Sequence, residues 1–176
     1  VRAEHRWGQI VARDAGVLLP TAIHAATPSL ETDELLITNV LFTGAVHENL
    51  TVFFGKLDTL DGDRNPFASG RGKSQFMNTS LLLPVNGLPT VPLATLGAGA
   101  LLMVDGLPLA QFMVLNATDT VDTVGISELF ADGALVLGSV NVPLPIAGNL
   151  GIHTFTAGWS SKTFTSLGQD ARLIIQ

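Results

Sequence analysis

The chain has 176 residues, 9 basic against 15 acidic for a net charge of −6, 47% hydrophobic and only 14% charged side chains, and no Cys. A mean hydropathy of +0.41 excludes a disordered chain, which needs low hydrophobicity and high charge, and the acidic balance without a basic run argues against nucleic acid as a partner. The missing Cys removes disulfides, a thiolate nucleophile and a thiolate zinc site. The length suits a single domain, 1–176. High apolarity combined with 18 Gly and 9 Pro points to strands or a membrane.

The first residues, Val1, Arg2, Ala3 and Glu4, include no initiator Met and no signal peptide, so a processed chain or a fragment is expected. A strand is predicted over 1–11, where alternation puts Arg2, Glu4 and Arg6 on one face. A long connection over 12–32 leads to a strand over 33–43, a short turn over 44–46 and a strand over 47–57. In this last strand Leu50, Val52 and Phe54 share one parity, while Asn49, Thr51, Phe53 and Gly55 share the other. Glu48 and Lys56 bracket the apolar side. Their separation, roughly 26 Å along a strand rising about 3.3 Å per residue, becomes about 20 Å of height in a tilted strand, which approaches the apolar band of an outer-membrane barrel.

The longest connection follows, over 58–95. Residues 81–104 carry no charge, yet Pro84, Pro89 and Pro92 interrupt them, so they do not make a spanning helix. Further strands are predicted over 96–104, 109–117, 133–143 and 150–160, with another starting near Ala171. In the 150–160 strand His153, Phe155, Ala157 and Trp159 alternate with Ile152, Thr154, Thr156, Gly158 and Ser160. Leu50, Val52, Phe54, Phe155 and Trp159 are accordingly expected to face lipid, and Thr51, Thr154, Thr156 and Ser160 a lumen. The connections alternate in length: long over 12–32, 58–95, 118–132 and 161–170, short over 44–46, 105–108 and 144–149. A transmembrane barrel has this rhythm, with short turns on one rim and long loops on the other.

No catalytic constellation emerges, and no enzyme activity is expected. There is no G-x-S-x-G, and His5, His24, His47 and His153 stand at spacings that make no metal pair. The stretch from Phe67 to Ser74 ends like a P-loop, but Phe67 replaces the first Gly and no helix-period pattern follows. Asp61, Asp63 and Asn65 offer alternate oxygens as a calcium loop does, but Pro66 stands at the turn-glycine position and Gly72 where the bidentate Glu belongs. Neither a metal nor another cofactor is assigned. The N-x-[ST] matches at Asn49, Asn78 and Asn116 mark glycosylation only in a secretory host.

Several stretches together resemble a known family. Gly55 to Asp58 with Asp61, Asn65 to Phe67, Gln75 to Asn78, and Pro92 to Gly97 are similar to stretches of the carbohydrate-selective porins of bacterial outer membranes, the OprB family. Asp14 to Pro20, Ile37 to Asn39, Asn116 to Thr120, Leu129 to Gly133, Trp159 to Lys162 and Thr165 to Leu167 agree in order. The resemblance implies an all-β, antiparallel transmembrane barrel of sixteen strands, of which this chain would supply about half, roughly eight strands. It also implies a passive diffusion channel for small sugars in the outer membrane, with small sugars and outer-membrane lipid as partners. The oligomeric state stays open, a homotrimer included. The chain departs from such barrels in having no Tyr and 6% aromatics, so Trp7, Phe54, Phe155 and Trp159 would have to serve as the aromatic girdle.

If the long loop folds into a pore, charges on it tune what passes. The candidate constriction set is Lys56, Asp58, Asp61, Asp63, Arg64, Arg71 and Lys73, with Phe67 and Phe76 as stacking faces for sugar rings. Arg2, Glu4 and Arg6 form a second, independent set. The competing reading of the first set is a solvated loop, since parity puts Lys56 on the apolar side of its strand. The competing function is a secreted or surface β-rich binding or adhesion module, whose apolar faces would meet in a sandwich core.

Overall fold

A computed structural model of the chain describes residues 1–6, 34–62, 74–75 and 90–164. These residues form an all-β structure of seven antiparallel strands in one open sheet, in the sequential order β1-β2-β3-β4-β5-β6-β7. The strands are β1 (Arg2–Arg6), β2 (Glu34–His47), β3 (Leu50–Asp58), β4 (Ala94–Val104), β5 (Leu107–Asn116), β6 (Ala134–Ile146) and β7 (Asn149–Ser160). A 3-10 turn, Thr59–Gly62, follows β3. No helix among the described residues is long and apolar enough to cross a membrane.

Connection length alternates across the sheet. Each hairpin at one rim turns on two residues: Glu48 and Asn49, Asp105 and Gly106, Ala147 and Gly148. The last two pairs have positive φ at both positions, 51° and 75°, then 51° and 82°. That geometry matches the twist of the flanking strands, and glycine at the second position adopts it without steric cost. At the opposite rim the connections span 7–33, 59–93 and 117–133.

Two sequence-based boundaries shift. The turn expected over 44–46 lies at Glu48 and Asn49 instead, because Gly44 and Ala45 continue the ladder opposite Val52 and Thr51. The polar pair beyond them takes the exposed bend, where the Asn49 amide donates to His47 Nδ1 at 3.3 Å. Strand β6 runs on through Pro143 and Pro145, which pair with Ile152 and Leu150. It tolerates them because β5 pairs with β6 only as far as Val140, so no amide is needed on that side. Seven strands stand where roughly eight are expected, and the one expected near Ala171 lies outside the described residues.

The register sorts the side chains into two faces. One face carries the row Phe42, Phe54, Ala98, Val114, Val136 and Trp159, then Gly44, Val52, Ala100, Phe112, Gly138 and Ala157, then Leu50, Leu102, Ala110, Val140 and Phe155. The other carries Thr43, Phe53, Gly99, Met113, Leu137 and Gly158, then Ala45, Thr51, Leu101, Gln111, Ser139 and Thr156. Residues expected together in the sequence do share faces: Leu50, Val52, Phe54, Phe155 and Trp159 on the first, Thr51, Thr154, Thr156 and Ser160 on the second. The first face is open, with Phe42 and Phe54 stacked at 5.3 Å and Phe155 and Trp159 61% and 63% exposed. On the second, Phe53, Leu115 and Leu135 are buried. A Cβ on Gly99 would lie 2.5 Å from the Phe53 ring, so this glycine is what lets the ring lie against the sheet.

Candidate functional site

Two regions carry the polar chemistry. The first lies at the long-connection rim, on the face of the aromatic row. Lys56 and Asp58 continue the parity of Leu50, Val52 and Phe54, but both are buried, because the 117–133 connection folds over this end of the sheet. Val121 packs with Leu36 and Ala94 in one buried cluster. Lys56 Nζ donates to the Thr123 carbonyl at 2.6 Å, and the Asn116 side-chain oxygen accepts from the Phe130 amide at 2.8 Å. Thr120 donates twice to the Ala94 carbonyl, from its amide at 2.8 Å and its hydroxyl at 3.1 Å.

Arg2 reaches this cluster from β1. Its guanidinium pairs with Asp61 and stands 3.5 Å from the buried Asp58 carboxylate. Asp58 in turn accepts from the Leu60 amide at 3.1 Å, shaping the start of the 3-10 turn. The two charge sets that look independent in the sequence are therefore one network in part: Arg2, Asp58 and Asp61 meet. Glu4 lies opposite Leu36, and Arg6 closes β1 opposite Glu34. Asp63, Arg64, Arg71 and Lys73, with the stacking candidates Phe67 and Phe76, lie outside the described residues.

Asp119 stitches the 117–133 connection to the end of the preceding one, accepting from the amides of Leu93 at 3.0 Å, Ala94 at 3.5 Å and Val121 at 3.1 Å. Desolvation by the surrounding chain pushes its carboxyl above the ordinary value and outweighs those three donors, which pull it down; the neighbouring Asp122 charge adds to the rise. Among the described residues no group of three or more His, Asp or Glu side chains could hold a metal ion.

The second region is a line of neutral polar groups on the opposite face, toward the short-turn rim. Thr51, Gln111, Ser139 and Thr156 stand in one row. Beyond it Asn141 pairs with Thr154, whose hydroxyl donates to the Asn141 oxygen at 2.7 Å, while Asn141 Nδ2 donates to the Pro108 carbonyl at 2.8 Å. Gln111, Ser139 and Asn141 were not singled out by motif. Their alternation with Phe112, Val140 and Val142 is the signal that finds them.

No family model, curated protein or solved structure matches the chain. The polar line offers hydroxyls and amides and no charge, a set suited to exchanging hydrogen bonds with a neutral polyhydroxylated solute. The rim network is different in kind. Its charges are paired or capped within the protein, and it fastens a connection to the sheet.

Proposed function

We propose that the chain forms part of the wall of a bacterial outer-membrane porin, a passive diffusion channel for small neutral solutes of the sugar class. The observation that carries this reading is the open apolar face, which runs across β2 to β7 without a charged side chain below the row of Lys56 and exposes Phe42, Phe54, Phe112, Phe155 and Trp159 by 54–63%. In water such a contiguous patch is costly and marks an interaction surface. Against lipid tails it costs nothing.

Dimensions agree with that role. On β6 the open face runs from Val136 to Ile146, about 33 Å along the strand and about 25 Å of height at a tilt near 40°, the height of a barrel's apolar band. Two-residue turns on one rim and long connections on the other are the barrel arrangement. In a bilayer the edges of β1 and β7 must find partner strands, which a second copy of this chain can supply, since lipid cannot satisfy unpaired backbone groups.

In this reading Thr51, Gln111, Ser139, Asn141, Thr154 and Thr156 face the aqueous interior. Lys56 and Asp58, on the lipid-side face at the rim, act as fasteners of the wall rather than as the constriction. The competing reading, a surface binding module with a sandwich core, draws support from the burial of Phe53, Leu115 and Leu135 on the second face.

Planar-bilayer conductance separates the two. A channel gives stepwise currents that small sugars reduce on titration, and Ser139→Val with Thr156→Val weakens that block. A protein recovered from cells without detergent that gives no conductance in bilayers would refute the channel.

A further inference from the structure

The 117–133 connection is unusual for a loop at an aqueous rim. Within seven residues it exposes four bulky apolar side chains: Val124 at 72%, Ile126 at 70%, Leu129 at 46% and Phe130 at 49%. It is also folded back at both ends. Backbone bonds run from Thr123 to the Thr120 carbonyl, Leu129 to Ile126, Ala131 to Glu128 and Gly133 to Phe130, at 3.1–3.4 Å, and the Thr123 hydroxyl donates to Glu128 at 2.7 Å. These bonds fold the two ends of the segment, while the amides of Val124 to Glu128 reach no backbone carbonyl among the described residues, so its tip suits a hydrated headgroup layer, which can satisfy them, rather than the hydrocarbon core.

Its place on the sheet is fixed by three independent attachments: Val121 on Leu36 and Ala94, Lys56 on Thr123, and Asn116 on Phe130. Lys56, Ala94 and Asn116 lie on the same face as the aromatic row. Lys56 is two residues from Phe54 and Asn116 two residues from Val114, so the connection sits about 7 Å along the strands from that row. Interfacial segments bury their apolar residues within about 5–10 Å of the headgroup boundary.

We infer that the 117–133 connection is an interfacial membrane contact, seating Val124, Ile126, Leu129 and Phe130 in the headgroup layer of a zwitterionic bilayer just above the apolar band. The inference rests on the lipid-facing reading of that band. It gives the wall a girdle at the long-connection rim made from a folded-back loop, in a chain without Tyr and with 6% aromatic residues. The bilayer is zwitterionic because four acidic side chains of the segment, Asp119, Asp122, Glu128 and Asp132, outnumber the two lysines set against it, Lys56 at Thr123 and Lys162 at Asp132, and anionic headgroups would repel the excess.

The chain has no Cys, so one introduced thiol labels one place. Ile126→Cys and, separately, Phe54→Cys carry a polarity-sensitive fluorophore in the full chain reconstituted into phosphatidylcholine vesicles, with spin-labelled lipids as shallow or deep quenchers. The expected result is quenching of the 126 label by the shallow quencher with a blue-shifted emission, quenching of the 54 label by the deep one, and loss of the 126 shift when phosphatidylglycerol replaces phosphatidylcholine. A 126 label reporting water while the 54 label is quenched overturns this inference and leaves the lipid-facing wall standing. Both labels in water overturn both, and Phe155→Cys replaces Phe54→Cys if the latter does not fold.

Discussion

The two faces of the sheet differ less in composition than in packing. Between the Lys56 row and the short turns, neither face of β3 to β7 carries a charge. Yet Phe54 is 58% exposed, while its neighbour Phe53, pointing the other way, is 5% exposed. Glycine accounts for part of the difference: Gly97 and Gly99 leave room for Leu115 and Phe53 against the second face, whereas on the first face Phe42 and Phe54 stack ring beside ring and stay exposed. The second face is filled by its own side chains at the centre of the sheet but exposes Leu35, Ile37, Leu150 and Ile152 by 50–75% toward its edges, whereas the aromatic row of the first face is exposed at its centre.

The substitution expected to hurt most is Val52→Arg, which puts a charge in the middle of the open face. In a bilayer it should cost about 2–4 kcal/mol of folding stability, measured by denaturant titration in lipid vesicles. Unchanged stability would mean that the open face meets water. Gly99→Val attacks the other face. Its first added carbon would stand 2.5 Å from both the Phe53 ring and the Phe112 carbonyl, so displacement of Phe53 should cost about 1–3 kcal/mol, with Thr43→Val, at the end of the same row, as a near-neutral control.

Lys56→Met keeps the length of a buried side chain and removes its bond to Thr123. It should cost about 1.5 kcal/mol, the worth of a charge-assisted hydrogen bond, and the loss should be local: amide exchange should quicken over 117–133 and stay slow in β3 to β5. The smallest effect belongs to Arg2→Ala. The Arg2 side chain is 37% exposed, and a partly solvated ion pair contributes about 0–1 kcal/mol, so a larger loss would mean that Asp58 depends on Arg2 for its burial.

Much of the sheet is legible from period-two alternation, because alternation and the two-residue rise of a strand are the same geometry. The faces of β3 and β7 follow from it directly. Boundaries were less legible: Gly44 has the look of a turn residue but sits in a ladder, and Pro143 and Pro145 look like terminators but lie where β6 lacks a β5 partner. The rim network was only half legible. Asp58 and Asp61 announce themselves by charge, but their meeting with Arg2 depends on β1 pairing with β2, a long-range contact with no local sequence mark. The fastening of 117–133 onto Lys56 was hidden for the same reason, since a lysine on an apolar register gives no sign of what will cover it. The polar line of Gln111, Ser139 and Asn141 is legible only as alternation with apolar neighbours, since no motif or charge marks it.

The central claim is that the open face meets lipid, and Trp159 reports on it directly. The chain has two Trp, so Trp7→Phe leaves Trp159 as the only indole. Reconstituted into vesicles of lipid brominated along the acyl chain, this variant should show a blue-shifted Trp159 emission that bromine quenches, while aqueous iodide leaves it unchanged. Emission at the wavelength of a water-exposed indole, quenched by iodide and indifferent to bromine, would contradict the claim.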